Sequence, residues 1–233
     1  MADLLNDDEL AALRALDTPT VCNALEIVAP SRRGSSYSVQ PFFCPRPELE
    51  PMVGYARTAT LRSMQPSTLD AAETTKVRFG YYTHQADGPG PTITVIEDLD
   101  AVPGYGAWWG EVNTNLHKGL GSLGVITNGS IRDLDDAAAG FQMLAGMAAP
   151  SHAWVRVEEF AVTVTVHGMT VEPGDLIHAD QHGAVVIPLD VARDVPQAAR
   201  DIAAKERVLI EASQQPGFTI DKLLDLMGGG PGH

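Results

Sequence analysis

Residues 108–136 read WWGEVNTNLHKGLGSLGVITNGSIRDLDD, and the pattern within them decides both the fold and the chemistry. Gly110-Glu111 reads as a turn entering a short helix, Gly124 to Thr127 as a buried strand, and Asn128-Gly129 as a tight turn, after which Arg132-Asp133 opens a further helix. Arg132 offers a planar, permanently charged fork suited to a carboxylate or an enolate. Asp133 offers a hard oxygen ligand for a divalent cation. Glu111 lies twenty-one positions before Arg132, and the intervening turn, helix and strand can fold it back beside the pair. Such a set suits metal-assisted chemistry on a keto acid. The plainer reading makes Asp133 the N-cap of the following helix and Arg132 a surface residue, because Asp is a favoured cap.

Outward from this stretch, Asp7 to Leu16 and Thr18 to Val28 read as helices, the second with Pro19 early, where its missing N–H costs little. Ser31 to Pro51 is rich in Pro, Ser and Arg without a period, and reads as a segment wrapping the surface or a neighbouring subunit. Met52 to Leu61 alternates as a strand, Pro66 to Tyr82 reads as a helix, and Pro91 to Ile96 as a buried strand. Trp154 to Val157, Ala161 to Val166, Ile177-His178 and Ala184 to Ile187 supply short later strands. Asp190 to Gln214 is helical with an interruption near Pro196, Thr219 to Met227 forms a last helix, and residues 228–233 a flexible tail. Residues 1–233 carry no linker and read as one domain, with N-terminal helices in 1–30 and C-terminal helices in 189–227. Strands and helices mixed without a regular βαβ repeat argue for an α/β fold other than a plain doubly wound sheet.

Two patterns imitate sites. Gly119, Gly121 and Gly124 spell GxGxxG, but they close a helix and precede a strand, the reverse of a dinucleotide fingerprint. They read as a helix C-cap and turn. His178, Asp180 and His182 fall at alternate positions and would share a face of one straight strand, where they could hold a transition metal. Gln181-His182-Gly183 reads as a turn that splays them, leaving Asp180 the best placed of the three. His117 and His152 read as ordinary satisfied histidines, with His152 able to reach substrate from its unusual segment SHAWVRV (residues 151–157). Asp135 and Asp136 suit the first turn of a helix opening at Asp133.

The chain has 233 residues, 44% of them hydrophobic and 20% charged, as in ordinary soluble proteins. It has no apolar run long enough to span a bilayer, and MADLLNDDEL is acidic, unlike a signal peptide. Two cysteines, Cys22 and Cys44, make no disulfide framework, so a cytoplasmic setting is expected. The net charge of −14, from 30 acidic and 16 basic side chains, includes no basic stripe and argues against nucleic-acid binding. An anionic substrate then needs a local positive site, which Arg132 and a divalent metal would supply.

Four segments resemble the RraA-like family, which includes the class II aldolase acting on 4-hydroxy-4-methyl-2-oxoglutarate. The frame of an acidic residue, twenty residues and Arg-Asp is present as Glu111 and Arg132-Asp133; GMTVEPGDLIHADQHGAVVIP (168–188), TPTVCNALE and MVGYARTATL are similar to further family segments. Glu111 stands where the aldolase has Asp, and SHAWVRV and HADQHG depart from its pattern, which points to a branch with another substrate. The resemblance implies a layered α/β/β/α swivelling-type domain assembled as a trimer or hexamer. It implies a lyase for a 2-keto acid, acting by retro-aldol cleavage or oxaloacetate decarboxylation through a pyruvate-type enolate. Asp133 would hold Mg²⁺ or Mn²⁺, and Arg132 would stabilise the enolate or grip the carboxylate. The N–H groups of Val112 and Asn113 would bind that carboxylate, and Glu111 would orient a water acting as base. A glutamate from the neighbouring subunit's late helix, at Glu206 by position, would enter the site. A Schiff-base route is disfavoured, since Lys76, Lys118, Lys205 and Lys222 all lie in polar or amphipathic contexts. The rival class is a non-catalytic binding protein like the family's ribonuclease E regulator, which lacks the Asp after the Arg. A third is a lyase or hydrolase for another acidic metabolite.

Overall fold

A computed structural model describes residues 4–228. Helices α1 (Asp7–Arg14) and α2 (Thr18–Val28) lead the chain. Each starts where a side chain satisfies free backbone N–H groups: Asn6 and Glu9 form a capping box on α1, and Asp17 accepts from Thr20 on α2. Then come β1 (Met52–Arg62), α3 (Ala71–Ala86), β2 (Thr92–Asp98), β3 (Ala107–Trp109), α4 (Glu111–Gly119), β4 (Ser122–Thr127), β5 (Ser130–Ile131), β6 (Gln142–Leu144) and β7 (Met147–Ala148). The remainder comprises β8 (Arg156–Phe160), β9 (Val164–Val166), β10 (Met169–Val171), β11 (Leu176–Asp180), β12 (Gly183–Ile187), α5 (Val195–Ser213) and α6 (Ile220–Gly228).

The main sheet has seven strands in the order β12-β11-β1-β2-β4-β6, with β8 pairing on β1 as well. Strands β1, β2, β4 and β6 run parallel, whereas β11 and β8 lie antiparallel to the first and second halves of β1. Alternation along the strands sorts the core into layers. Val53, Tyr55, Leu176, Val185 and Ile187 face α1, α2 and α5; Ala59, Leu61, Ile96, Val125 and Met143 join Tyr81, Trp109 and Phe141 on the side of α3 and α4. The opposite face, with Ala56, Val95, Ile126, Ile177 and Val186, is covered by the β9–β10 hairpin. The result is the layered α/β arrangement expected from the sequence. Strands β3, β5 and β7 form a separate parallel ladder carrying the site.

Several boundaries differ from the sequence reading, each for a local reason. Helix α3 begins at Ala71 and not Pro66, because Asp70 accepts from Ala72 and Glu73 while Glu73 returns to the Asp70 N–H. Trp154 and Val155 are turn residues preceding β8, and Ala161, at φ 56°, separates β8 from β9. Pro196 lies in the first turn of α5 and starts that helix instead of interrupting it. No helix opens at Arg132-Asp133: residues 134–136 make a single turn, so Asp135 and Asp136 have no helix dipole to complement. The segment 31–51 crosses the chain's own sheet, where Phe42 stacks on His167 at 4.4 Å and Phe43 bridges to Ala145. Of the expected flexible tail, residues 229–233 lie outside the described residues. Burial pushes the Cys22 thiol up to about 11, in keeping with a core cysteine. Among the described residues no helix is long and apolar enough to cross a membrane.

His178 and Asp180 share a face of β11, as alternation requires, but they serve packing. Asp180 accepts from the Thr18 N–H at 2.9 Å, capping the start of α2, and from the His182 N–H at 2.8 Å. His178 Nδ1 meets the Thr18 hydroxyl at 3.0 Å, and its Nε2 meets the carbonyls of Leu13 and Leu16. Burial holds the imidazole below its ordinary pKa. These contacts fasten the α1–α2 corner to the sheet, and no group of three metal-ligating side chains exists here or elsewhere among the described residues. Asp180→Ala strands the buried Thr18 N–H and should cost about 1–3 kcal/mol in denaturant unfolding while leaving turnover per folded molecule intact; a loss of turnover without a loss of stability would return Asp180 to the site.

Candidate active site

The site is built where the β3–β5–β7 ladder meets the start of α4. The Arg132 N–H donates to the Trp109 carbonyl at 2.9 Å, which carries the pairing of β3 and β5 one residue onward. Arg132 and Asp133 therefore leave the ladder alongside Gly110, the residue that precedes α4. The approach is close enough to exclude a side chain at 110: an added Cβ would overlap the Asp133 carboxylate and stand 3.2 Å from Arg132 Cγ. Asp133 takes φ +50°, in the left-handed region, which aspartate tolerates better than most residues. Its carbonyl accepts from Asp136 and Ala137, closing the turn, while the Arg46 guanidinium donates to the carbonyls of Leu134, Ala137, Ala138 and Phe141. Arg46 escaped the sequence reading, because only the folded chain brings it ninety residues forward onto that turn.

This geometry converges three kinds of group. Asp133 Oδ2 stands 3.3 Å from the Glu111 N–H and 3.5 Å from Arg132 Nε, and Oδ1 has no partner among the described residues. Asp133 is thus no cap for a helix of its own and is instead a weak cap on α4. Gly110 has no side chain to cap α4, so the N–H groups of Val112 and Asn113 have no acceptor among the described residues. Arg132 and Asp133 each expose 36% of their side chains. Together they border a cleft of about 480 Å³, lined also by Val112, Asn113, Trp108, His152 and Trp154. A hard carboxylate oxygen at the edge of an open cleft fits Mg²⁺ or Mn²⁺ held by one protein ligand, waters and substrate.

Behind the cleft, a buried network fixes α4. The Asn113 side chain donates to the Trp108 carbonyl at 2.6 Å and accepts from the Tyr82 hydroxyl at 2.8 Å. His117 Nδ1 lies 2.7 Å from the Asn113 carbonyl, so it carries the proton, and Nε2 accepts from the Tyr81 hydroxyl at 2.6 Å. His117 is therefore the satisfied core histidine the sequence suggested.

Residues 18–186 match the sequence model of the family described as RraA-like (Aldolase/RraA). The chain belongs to the RraA-like family. An uncharacterised protein of Methanocaldococcus jannaschii is 34% identical over 107 residues, 45% of this chain and 51% of that protein, so the match spans about half the relative's length. An uncharacterised protein from Pseudomonas syringae pv. tomato shares the fold at TM-score 0.70 and 23% identity, covering 95% of both chains. Streptomyces coelicolor RraAS2, described as an unusual member of the RNase ES inhibitor RraA family, superposes at TM-score 0.69 with 20% identity over 88% of this chain and 97% of that one.

Against this RraA-like frame the expected site residues divide. Arg132, Asp133, Val112 and Asn113 all line the same cleft. Glu111 heads α4, but it is the backbone N–H and not the carboxylate that meets Asp133, and the exposed side chain stands outside the cleft lining. Glu206 is exposed on α5, which packs on α1, α2 and α6, and it is no part of this chain's cleft lining. His152 does line the cleft, with Nδ1 turned to the Ala153 carbonyl at 3.2 Å.

Burial pushes His117 from 6.5 down to about 4. The fold thus favours the neutral ring: its contribution is complete above about pH 6.5 and is lost as pH falls toward 4. Thermal unfolding of wild type and His117→Gln should show the wild type losing stability relative to the variant across that interval; parallel curves would contradict the buried neutral assignment.

Proposed function

We propose that the protein is a divalent-metal-dependent carbon–carbon lyase for a 2-keto acid. It cleaves a 4-hydroxy-2-keto acid by retro-aldol chemistry, decarboxylates oxaloacetate, or does both. The observation that carries this reading is the convergence of Arg132, Asp133 and the loosely capped start of α4 on a single cleft. The N–H groups of Val112 and Asn113, at the positive end of the α4 dipole, bind the substrate carboxylate. The Arg132 fork lies beside the keto oxygen and stabilises the negative charge that develops there when the C3–C4 bond breaks. Asp133, whose Oδ1 has no partner among the described residues, would hold Mg²⁺ or Mn²⁺. The bound ion supplies Lewis-acid polarisation of the keto group. In the retro-aldol direction the C4 hydroxyl proton passes to a water, which Glu111 orients by a side-chain rotation toward the cleft. Glu206 contributes only from a neighbouring copy.

The exposed apolar side chains of the C-terminal helices support the homotrimer or hexamer of this reading. Val208 and Ile210 on α5, with Ile220, Leu224 and Met227 on α6, are each more than half exposed, an apolar set suited to subunit contact. Sedimentation at micromolar concentration should give a species of three or six chains; a monomer would remove both the assembly and any role for Glu206. The alternative of a non-catalytic binding protein, like the inhibitor in whose family RraAS2 is placed, is disfavoured by Asp133, which such a protein does not need.

Pyruvate release from oxaloacetate, above the rate with metal alone, should vanish in excess EDTA and return with Mg²⁺ or Mn²⁺. Asp133→Asn, which can still accept from the Glu111 N–H, should keep the folded state within about 0.5 kcal/mol and lose at least about 100-fold in turnover. Near-normal turnover by that variant, or full turnover in EDTA, would place the chemistry elsewhere.

A further inference from the structure

The catalytic end of the cleft uses only part of it, and the remainder differs in chemistry. A volume of about 480 Å³ is far larger than a pyruvyl group requires and lies within the range of ordinary small-molecule sites. Apart from Arg132 and Asp133, the lining includes the apolar side chains of Trp108, Val112, Trp154 and Val155. Trp154 is 60% exposed and Val112 68% exposed. A tryptophan standing that far out of a turn, over a cleft, is a surface shaped to be covered.

The guanidinium and amide groups that line the rest of the cleft are already engaged. Arg156, the other guanidinium in the cleft, pairs with Glu158 at 2.6 Å and donates to the Gln65 carbonyl. Thr74 donates its hydroxyl to the Asp70 carbonyl at 2.8 Å, and Ser67 Oγ accepts from the Leu69 N–H at 3.1 Å. The Asn113 amide is committed to Tyr82 and Trp108. His152 Nε2, the Ser67 O–H and the Trp108 indole Nε1 remain without partners among the described residues; these are neutral groups that match a hydroxyl and bring no positive charge to offset a second carboxylate. Burying a carboxylate without a partner costs far more than burying an apolar group, and a chain of net charge −14 offers no wider field to offset it.

We propose that the far end of the cleft takes an uncharged aromatic or bulky apolar substituent, so that the substrate is a monocarboxylate 4-hydroxy-2-keto acid. The assignment rests on the lyase reading above and adds the identity of the departing half. In 4-hydroxy-4-phenyl-2-oxobutanoate the C3–C4 bond breaks and the C4 hydroxyl loses its proton. C4 leaves as the carbonyl carbon of benzaldehyde, the bonding electron pair passes to C3, and C3 takes up a proton to give pyruvate. The phenyl ring lies against Trp154, and the segment 151–157, which departs from the aldolase pattern, is the part of the chain that sets this preference.

The test compares that compound with 4-hydroxy-2-oxopentanoate and with the dicarboxylate 4-hydroxy-2-oxoglutarate, in wild type and Trp154→Ala, with Mg²⁺ present. Wild type should favour the phenyl compound by at least about tenfold in kcat/KM. Trp154→Ala should raise KM for it about tenfold and erase the preference for it over the pentanoate. Calorimetry supplies a readout free of turnover: phenylpyruvate should bind wild type about tenfold more tightly than 2-oxoglutarate, and Trp154→Ala should erase the difference. Pyruvate release from all three compounds with the dicarboxylate preferred, or a preference unmoved by Trp154→Ala, would overturn this assignment and leave the lyase reading standing. Absence of pyruvate from every compound, oxaloacetate included, would overturn both.

Discussion

The hydrogen bond from the Arg132 N–H to the Trp109 carbonyl is the constraint on which the rest of the site depends. It holds two segments more than twenty residues apart in register, so that a cation, a carboxylate and the start of a helix meet at one point. Everything around it defends that register. Gly110 gives up its side chain to let the Asp133 carboxylate approach, Asp133 accepts a left-handed backbone, and Arg46 satisfies the carbonyls of the turn that follows. A left-handed aspartate is a mild strain that persists only where surroundings over-determine it, and here they do.

Rigidity behind the cleft has a different origin. Asn113 and His117 on α4 are tied to Tyr82 and Tyr81 on α3, with no charged group in the buried network. Neutral, fully paired hydrogen bonds in a low-dielectric interior fix orientation without the desolvation cost of buried ions. The helix whose N–H groups face the cleft is therefore held from below by groups that take no part in chemistry. At the other end of the sheet Asp180 does the same for α2. The chain thus spends a carboxylate on a backbone N–H group at two helix starts, firmly at α2 and loosely at α4. At α4 the looseness leaves one oxygen of Asp133 available.

Charge arrangement reinforces this division. The chain is strongly acidic, yet the cleft presents Arg132 and two uncapped N–H groups, while its second guanidinium is neutralised by Glu158. The rest of the cleft lining includes the aromatic and aliphatic side chains of Trp108, Val112, Trp154 and Val155.

Local chemistry in the sequence determined a good deal. The start of α2 with Pro19 in its first turn, the end of α4 in the run of glycines from Gly119, the alternation of β1 and β11, and the adjacency of Arg132 to Asp133 are short-range properties. The Asp70-x-x-Glu73 box was equally local and was passed over in favour of Pro66. The tertiary structure decided what spacing cannot express. Asp133 was legible as a cap or a ligand, but only the close approach to Gly110 removes the helix it would have capped and sets it on another. His178 and Asp180 share a face for the reason alternation gives, yet Thr18, about 160 residues away, makes them packing residues. Trp154 and Val155 have strand-like sequence and form a turn, since Arg156 is the first residue of the strand that pairs with β1. In each case backbone propensity sets the local conformation, whereas the choice of partner depends on contacts between distant segments that no local pattern encodes.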